Sequence, residues 1–466
     1  MTDGLDVLLI QPNYQQVKGA WGINPPLGLA YIASLLEHNN FTVEILDANA
    51  LHLTETQTIN IIHTKNPRII GFSMMTPAQN FCINIAKNLN HKFLLIAGGP
   101  HSSSSSNLLL NNGFNIIVHG EGEYTMLEIA QHKPLAEIKG ISYIQNNIIH
   151  HNLPRDYITD LNSLPYPARH LLPNNGTNLP YHSAGTRHLP WATILTSRGC
   201  PYQCYYCNKN IFGYKWRPRS PQSVVDEMSY LVKTYGVKEI DIVDDLFNFD
   251  LQRVEEICNL ITERKLHLHL RCSNGIRVDK INDHILQKMH EAGWYYLAFG
   301  IESGSQEILD KIPKNITLTQ IRTAIKLAKK HHFEVTGFFI FGLLGDTPTT
   351  MTETLNFAKS LNLDLATFNI CAPYPGTKLW DTVQEKGKFL LTDYINFHHT
   401  SNHCLFTHPD IPATTAEIES IYRKAHHDFY FRPSYIAKQL LKTPSRSRYR
   451  EMYHGIKAIL GVKESL

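Results

Sequence analysis

The sequence lacks the features that mark a membrane span, a secretory signal or a nucleic-acid surface. Its 466 residues contain no apolar run of the ~20 residues that a membrane-spanning helix needs. No basic region followed by an apolar segment and a cleavage site stands at the N-terminus. The net charge is only +3, without a basic tail or a block of like charge, so nucleic acid is not expected as a partner. A peripheral membrane contact of the C-terminal part is left open.

Cysteine is scarce, with eight residues in the whole chain, which excludes a disulfide framework. Three of the eight crowd one loop, and the others are scattered at Cys82, Cys258, Cys272, Cys371 and Cys404. This usage fits a reducing compartment, and the predicted localisation is cytoplasmic. Because a chain of this length exceeds a single ordinary core, two or three domains are expected.

The crowded cysteines lie in the stretch Cys200-Pro201-Tyr202-Gln203-Cys204-Tyr205-Tyr206-Cys207, which follows a strand-like run over residues 191–196. Thiolates are soft ligands that select iron–sulfur clusters, zinc or copper(I). Structural zinc usually takes four protein ligands, and no second close cysteine pair follows. Three thiols would instead leave one iron of a four-iron cluster without a protein ligand. We favour such an open cluster, with a zinc knuckle or a chance group of structural cysteines as the alternative.

The CxxxCxxC spacing, with the aromatic Tyr206 before the last cysteine, resembles the signature of the radical S-adenosylmethionine (SAM) superfamily. The resemblance implies that Cys200, Cys204 and Cys207 are the catalytic and metal-binding residues and hold a [4Fe-4S] cluster. It also implies that SAM binds the open iron and is cleaved reductively to a 5′-deoxyadenosyl radical. The partners that this chemistry implies are a small-molecule substrate and an electron donor such as flavodoxin or ferredoxin.

Residues 4–130 alternate short apolar runs with helical patterns. Apolar strands separated by helices predict a parallel sheet covered on both faces. The fold class is therefore α/β, with a flavodoxin-like (Rossmann-type), doubly wound domain over residues 1–135, whose ligands bind beyond the carboxyl ends of the strands. The predicted strands are Val7–Ile10, Val43–Leu46, Ile69–Phe72, Phe93–Ile96 and Ile116–Val118, and the predicted helices are Leu27–His38, Thr54–Thr64, Ala78–Asn88 and Ser102–Leu110.

Glycine-rich turns follow two of these strands, at Gly98-Gly99-Pro100-His101 and Gly120-Glu121-Gly122-Glu123. Taken alone, they are most simply tight strand-to-helix turns. Together with residues 25–33 they resemble the cobalamin (B12)-binding domain that precedes the core of cobalamin-dependent radical enzymes. Because no DxHxxG motif occurs, the resemblance implies a corrinoid without a protein histidine on its lower face; a domain that has lost the cofactor is the alternative. The implied cobalamin contacts are Pro12, Ser73, Thr76, Gly98, Gly99, Gly120, Glu121 and Gly122.

From residue 191 the alternation resumes and predicts six strand–helix units. Six units suit a partial (β/α)6 barrel of the TIM type over residues 191–390, the radical SAM core, with its chemistry at the carboxyl ends of the strands. Residues 136–190 are predicted to be a linker that contains a hairpin. Residues 391–466 are predicted to form a helical C-terminal domain that caps the active site. The predicted barrel strands are Ala192–Thr196, Glu239–Val243, His267–Cys272, Tyr295–Gly300, Val335–Phe341 and Leu365–Ile370.

Polar residues follow the predicted barrel strands. The adjacent carboxylates Asp244 and Asp245 cannot both be buried without compensation, so at least one is expected to meet solvent, a donor or a ligand. The segment Gly300-Ile301-Glu302-Ser303-Gly304-Ser305 matches the same family pattern, which implies that Glu302 contacts the ribose hydroxyls of SAM. The further SAM contacts that the resemblance suggests are Tyr206, Asp245, Arg277, Ser303 and Ile340.

The resemblance implies a cobalamin-dependent methyltransferase that acts on an unactivated carbon of a small-molecule or natural-product substrate. Radical-mediated oxidative cyclisation, rearrangement or dehydration without methyl transfer is the alternative within the same class. Sulfur insertion into transfer RNA is disfavoured, because a second cluster would need three cysteines in the N-terminal domain, which holds only Cys82. A non-catalytic corrinoid-carrier or metal-binding protein is the alternative from another class.

Overall fold

The computed structural model describes residues 4–14, 22–89, 92–183, 185–391, 394–398 and 401–440. Two large β-sheets organise these residues, one of seven strands and one of six. Each sheet is built by its own stretch of the chain. None of the described helices is both long and apolar enough to cross a lipid bilayer.

The first sheet has the flavodoxin-like strand order. This part of the chain contains, in order, the strands β1 (Val7–Gln11), β2 (Gly22–Ile23), β3 (Val43–Asp47), β4 (Ile69–Ser73), β5 (Leu94–Gly98), β6 (Ile116–Val118), β7 (Ile141–Gln145) and β8 (Ile148–His151) and the helices α1 (Leu27–His38), α2 (Glu55–Lys65), α3 (Gln79–Asn88), α4 (Ser106–Leu110) and α5 (Glu123–Ala130). Five strands pair in parallel in the order β3-β1-β4-β5-β6, while β2 lies outside this sheet. This is the doubly wound order, and the predicted fold class is confirmed.

The strands read as continuous apolar runs because both faces of the sheet are covered. All five residues of β1 are buried. Val7 and Leu9 belong to one apolar core, whereas Leu8 and Ile10 belong to the core on the opposite face. Alternating side chains therefore point into two separate helix layers.

The serine-rich segment after β5 does not form the single helix that was predicted over Ser102–Leu110. A short 3-10 turn covers Ser102–Ser104, and α4 begins only at Ser106. The Ser102 hydroxyl donates to the Gly98 carbonyl at 2.9 Å. Serine hydroxyls that bond back to the backbone compete with regular helix formation, which explains the break.

The hairpin predicted in the linker is part of the first sheet. β7 pairs antiparallel with β6, and β8 pairs with β7, so both strands extend the parallel sheet at one edge. The predicted domain limits stay a prediction, but the linker segment contributes two strands to the first domain's sheet.

The second sheet is an open, six-stranded partial barrel, as predicted. The remaining elements are the strands β9 (His182–Ser183), β10 (Trp191–Ile194), β11 (Ser197–Arg198), β12 (Arg217–Pro218), β13 (Glu239–Ile242), β14 (His269–Ile276), β15 (Trp294–Glu302), β16 (Glu334–Phe341), β17 (Leu365–Ile370), β18 (Lys388–Phe389) and β19 (Phe406–Thr407) and the helices α6 (Pro221–Tyr235), α7 (Leu251–Glu263), α8 (Asp283–Glu291), α9 (Gln306–Lys311), α10 (Leu318–Lys330), α11 (Pro348–Ser360), α12 (Lys378–Lys386), α13 (Thr415–Tyr430) and α14 (Pro433–Leu440). The order β10-β13-β14-β15-β16-β17 follows the chain, and all neighbours are parallel. The carboxyl ends of these strands therefore meet at one edge.

The C-terminal helix α13 covers the last edge strand of the barrel and reaches the end of β16. It packs beside α11 and against the edge strand β17, where the rings of Phe368 and Phe429 lie 5.9 Å apart. The Tyr430 hydroxyl donates to the Ala366 carbonyl at 2.8 Å. The apolar face of α13 therefore covers the open edge of the barrel, while Ile418 in its first turn lies against Gly342, directly beyond β16. Residues 441–466 of the predicted C-terminal domain lie outside the described residues.

Candidate active site

The cysteine loop, residues 199–216, is held closed at its base by a short antiparallel strand pair. β11 enters the loop and β12 leaves it, with Arg198 opposite Arg217. Gly199 has φ +81°, and a Cβ there would lie 2.8 Å from the Phe212 carbonyl oxygen and closer still to that of Lys215. Only glycine fits this close approach without moving the backbone. The loop geometry directly before Cys200 is therefore tightly specified.

The cysteine loop carries its three thiols at the carboxyl edge of the barrel. Cys200 is buried, whereas Cys204 and Cys207 are partly exposed. Burial raises the pKa of Cys204 to about 11. Burial also raises the pKa of Cys207, and the nearby Lys209 charge partly offsets this rise. Among the described residues, no three His, Cys, Asp or Glu side chains are arranged to hold a metal ion. Three thiolates are one short of the four protein ligands that structural zinc usually takes, so this donor set fits a four-iron cluster with one iron left open.

Tyr205 ties the loop to the last two strands of the barrel. Its hydroxyl accepts a hydrogen bond from the Leu344 amide at 3.0 Å, just beyond β16. Its carbonyl accepts one from the Leu379 amide at 2.9 Å, beyond β17. The loop therefore covers the carboxyl ends of β16 and β17.

The two adjacent carboxylates divide their roles as expected. Asp244 is buried and accepts hydrogen bonds from the Thr196 amide at 2.6 Å and from the Ser197 hydroxyl at 2.6 Å. Asp245 is exposed and accepts from the Gly199 amide at 3.2 Å. Asp244 therefore fixes the strand that enters the loop, a role the sequence did not assign, while the predicted site residue Asp245 borders the loop itself.

Glu302 occupies a strained position beside the cysteines. It ends β15 with φ +69°, a region that residues other than glycine rarely adopt. Its carboxylate is buried and pairs with Lys314 at 2.5 Å, and Lys314 also donates to the Gly300 carbonyl at 2.6 Å. Burial raises the pKa of Tyr206, and the charges of Glu302 and Cys204 add to this effect. Lys314 was not predicted, because it lies in the irregular connection after α9.

Arg277 joins the same group through Tyr202 of the cysteine loop. Its guanidinium carbon lies 3.5 Å from the centre of the Tyr202 ring. It donates to both Asp279 oxygens, at 2.7 and 3.0 Å, and to the Lys314 carbonyl at 2.6 Å. Its buried Nη1 has no hydrogen-bond partner in the described part of the chain. One donor at the edge of the loop is therefore available to a ligand.

The remaining predicted SAM contacts, Ile340 and Ser303, differ in their burial. Ile340 of β16 is half-buried. Ser303 is fully buried, and its hydroxyl lies 3.0 Å from that of Thr354 on α11 and accepts from the Ser305 amide at 3.1 Å. These bonds engage the Ser303 side chain with the outer helix layer.

The predicted cobalamin contacts surround the carboxyl edge of the first sheet. Half-buried residues at this edge are Ser73, Gly98, Gly99, Gly120 and Gly122, whereas Pro12, Thr76 and Glu121 are buried. Gly99 has φ +97°, and a Cβ there would lie 2.9 Å from both the amide nitrogen and the carbonyl oxygen of Met74. The close approach that requires glycine at this position is to the neighbouring turn of the protein itself.

Glu121 is buried and pairs with two arginines. Its oxygens lie 2.7 Å from Arg198 Nη1 and 2.8 Å from Arg217 Nη1, at the base of the cysteine loop. It also accepts a hydrogen bond from the Ile158 amide at 2.8 Å. Glu121 therefore pairs with the base of the cysteine loop, and its cobalamin contact stays a prediction.

The two carboxyl edges face each other across the cysteine loop. A Cβ on Gly120 would lie 3.8 Å from the carbonyl oxygens of Asn210 and Ile211, in ordinary contact. Asn210 Nδ2 donates to the Ser104 hydroxyl at 2.7 Å, and this hydroxyl donates to the Pro375 carbonyl at 3.2 Å. The strand ends of both sheets therefore border one shared region.

Two family models match the chain. Residues 194–358 match the radical SAM superfamily, and residues 20–130 match the B12 binding domain. An uncharacterised methyltransferase of Pyrococcus horikoshii is 33% identical over 447 residues, which cover 94% of each chain. The anaerobic magnesium-protoporphyrin IX monomethyl ester cyclase of Rubrivivax gelatinosus is 28% identical over 413 residues, 84% of this chain and 72% of the relative.

Solved structures share the fold over nearly the whole chain. The radical SAM methyltransferase TsrM of Kitasatospora setae, with cobalamin and a [4Fe-4S] cluster bound, matches with a TM-score of 0.71 at 16% identity and covers 98% of this chain and 100% of its own. The cobalamin-dependent SAM radical enzyme OxsB, with aqua-cobalamin and SAM bound, matches with a TM-score of 0.73 at 18% identity over 98% of this chain and 71% of its own. Both family models and the P. horikoshii relative agree with the predicted cofactor classes, and the chain belongs to the radical SAM superfamily, among the enzymes that carry an N-terminal B12-binding domain.

Proposed function

We propose that the protein is a cobalamin-dependent radical SAM methyltransferase that acts on a carbon centre of a small-molecule substrate. The observation that carries the proposal is the position of the cysteine loop, which lies between the carboxyl edges of the two sheets. A methyl carrier on the first sheet and a radical source on the second would then adjoin one substrate space. The P. horikoshii relative, described as a methyltransferase, supports methyl transfer.

The residues of the loop would hold the cluster, and the neighbouring residues would hold SAM. Cys200, Cys204 and Cys207 supply the thiolates, and Glu302 supplies a buried acceptor for the ribose hydroxyls. The unpartnered Nη1 of Arg277 supplies a donor for the SAM carboxylate. When bound, the cluster would supply the electron that cleaves SAM, and the corrinoid would carry the transferable methyl group. An electron donor of the flavodoxin or ferredoxin type is the further partner that we propose.

The first domain would hold the corrinoid without a histidine below the cobalt. His101, which follows β5, is 1% exposed, and its Nε2 lies 2.7 Å from Gln79 Oε1. Its ring packs edge-on against Tyr394 at 5.4 Å. Burial lowers the pKa of His101 to about 4, so it is a neutral, enclosed side chain at physiological pH. This enclosure supports the expectation drawn from the missing DxHxxG motif.

Replacing Glu302 with glutamine is expected to weaken SAM binding about 10- to 100-fold, the cost of losing a charged hydrogen-bond acceptor of about 1.5–3 kcal/mol. Calorimetric titration of the reconstituted protein with SAM measures the change. Glu307→Gln is the matched control, since Glu307 is an exposed glutamate in the following helix, also paired with a lysine. Equal SAM affinities for the two variants would contradict the role of Glu302.

Radical cyclisation without methyl transfer is a second candidate, favoured by the R. gelatinosus relative described as a cyclase. The two reactions differ in how they consume SAM. Methylation of a carbon centre yields S-adenosylhomocysteine and 5′-deoxyadenosine in equal amounts, because one SAM remethylates the corrinoid and another supplies the radical. Cyclisation yields 5′-deoxyadenosine alone.

The experiment incubates anaerobically reconstituted protein with hydroxocobalamin, SAM, a reductant and fractions of a cell extract. Fractions that stimulate 5′-deoxyadenosine release above the no-extract level contain the substrate. We expect an equal rise of S-adenosylhomocysteine with these fractions. A rise of 5′-deoxyadenosine alone would replace methyl transfer by the second candidate, and no SAM cleavage in any fraction would remove both.

A further inference from the structure

Four buried charged side chains connect the first domain to the base of the cysteine loop, and we refer to them as the ion-pair clamp. They are Glu121 and Glu123, which follow β6, and Arg198 and Arg217, which lie opposite each other in β11 and β12. Arg198 Nη1 lies 2.7 Å from Glu121, and its Nη2 lies 2.7 Å from Glu123. Arg217 Nη1 lies 2.8 Å from Glu121. No side chain of the clamp is more than 5% exposed.

Neighbouring groups fix both guanidinium groups in place. Arg198 lies between the rings of Tyr31 and Phe212, at 5.1 and 5.0 Å. Arg217 donates to the carbonyl oxygens of Ile158 and Phe212, at 2.5 and 3.0 Å. Tyr31 belongs to the first domain and Phe212 to the cysteine loop, so both contribute to the arginine environment.

Such a cluster determines geometry more than it contributes stability. Burying charges costs desolvation energy that the attraction between them only roughly repays, and apolar side chains would join the two surfaces as well. These ion pairs, however, form together in only one relative position of the two surfaces, although Arg217 Nε has no hydrogen-bond partner among the described residues. The clamp therefore specifies how the loop sits against the first sheet.

The clamp is also next to the turn that ends β6. Glu121 directly follows Gly120, whose position contacts the loop backbone at Asn210 and Ile211. Arg198 is two residues before Cys200. A shift of the Gly120 turn would therefore move Glu121, then Arg198, and with it the start of the cysteine loop.

We propose that Glu121 and Glu123 are positioning residues for the cysteine loop, and that the ion-pair clamp couples ligand binding at the edge of the first sheet to the loop. This role differs from the cobalamin contact that the sequence suggested for Glu121. The identity of the ligand, a corrinoid, rests on the proposed function. The clamp itself rests only on contacts within the chain.

The test is hydrogen–deuterium exchange of the full-length, reconstituted protein with and without hydroxocobalamin. In the wild-type protein we expect hydroxocobalamin to slow exchange over residues 199–216 as well as at the edge of the first sheet. In Glu121→Gln we expect the loop amides to exchange about tenfold faster and to lose their response to hydroxocobalamin. Arg198→Lys keeps the charge but has one nitrogen in place of the Nη1 and Nη2 that contact Glu121 and Glu123, and we expect the same direction of change.

Glu239→Gln is the matched control. Glu239 is a fully buried glutamate 3.3 Å from Arg271, but it lies at the amino end of β13, on the opposite edge of the barrel. We expect its loop exchange and hydroxocobalamin response to equal those of the wild-type protein.

Three results would overturn the proposal. Weaker hydroxocobalamin binding by Glu121→Gln with wild-type loop exchange would make Glu121 a ligand contact. Equal loop exchange in Glu121→Gln and Glu239→Gln would reduce the effect to the loss of any buried charge. Wild-type loop exchange that does not change when hydroxocobalamin binds would contradict the coupling. If the wild-type protein binds no hydroxocobalamin, the proposed function fails, whereas faster loop exchange in the unloaded clamp variants would still support the positioning role.

Discussion

Replacing Cys204 with alanine is expected to remove the iron from the protein and to abolish cleavage of SAM. A four-iron cluster in this loop has three protein ligands at most, so the loss of one leaves two thiolates to hold it. We expect the iron content after anaerobic reconstitution to fall from about four atoms per chain to below one. Iron and sulfide analysis, together with the visible absorption spectrum, measures the change.

Cys258→Ala is the control for this prediction. Cys258 is a buried cysteine of α7, and burial raises the pKa of its thiol to about 12, so it stays protonated. We expect this variant to keep full iron and SAM cleavage. Full iron in Cys204→Ala, or zinc in place of iron in the wild-type protein, would contradict the cluster. Hydroxocobalamin binding by Cys204→Ala would show that the first domain remains folded.

The parallel strands could be predicted from the sequence because burial on both faces leaves a continuous apolar run. The strands β1, β4 and β16 agree with their predictions to within one residue at each end. The helix starts could also be predicted, because their capping signals lie within a few residues. Thr54 caps α2 with the Gln57 side chain bonded back, and Ser220 caps α6 directly before Pro221. Signals of this kind depend on a few neighbouring residues, which a single sequence displays.

Positions that depend on distant partners could not be predicted. The hairpin of β7 and β8 has an ordinary hairpin pattern, which does not reveal that β7 pairs with β6. The apolar face of α13 likewise does not reveal which surface it covers. In both cases the local pattern predicts the element, while the pairing partner is set by the topology of the whole sheet.

The same distinction applies to the candidate site. The three cysteines were found because they share one loop. Lys314 was missed because it contacts Glu302 from an irregular connection, and the ion pair of Glu121 was missed because its partner Arg198 lies 77 residues away. A glutamate in a glycine-rich turn matches a ligand contact as well as it matches an interdomain ion pair, and only the fold separates the two.

Replacing Gly199 with alanine is expected to lower the iron content and the thermal denaturation midpoint far more than the same change at Gly236. Both glycines have positive φ, +81° and +65° respectively, so alanine is strained by about 1–2 kcal/mol at either position. The two positions differ in the space that is available for a Cβ. A Cβ at Gly236 meets nothing within 4 Å, whereas at Gly199 it overlaps the carbonyl oxygens of Phe212 and Lys215.

The overlap at Gly199 can be relieved only by moving the backbone that positions Cys200. The strand pair of Arg198 and Arg217 closes the loop at its base, so residues 212–215 cannot withdraw without disturbing that pair. The backbone of Cys200, which carries the first thiol, is therefore expected to shift. Iron analysis of both variants, with denaturation of the unloaded proteins, separates strain from overlap. If Gly199→Ala and Gly236→Ala bind equal amounts of iron, the backbone before Cys200 does not determine the cluster site. An iron deficit confined to Gly199→Ala means that the close packing of the loop on itself positions the thiols.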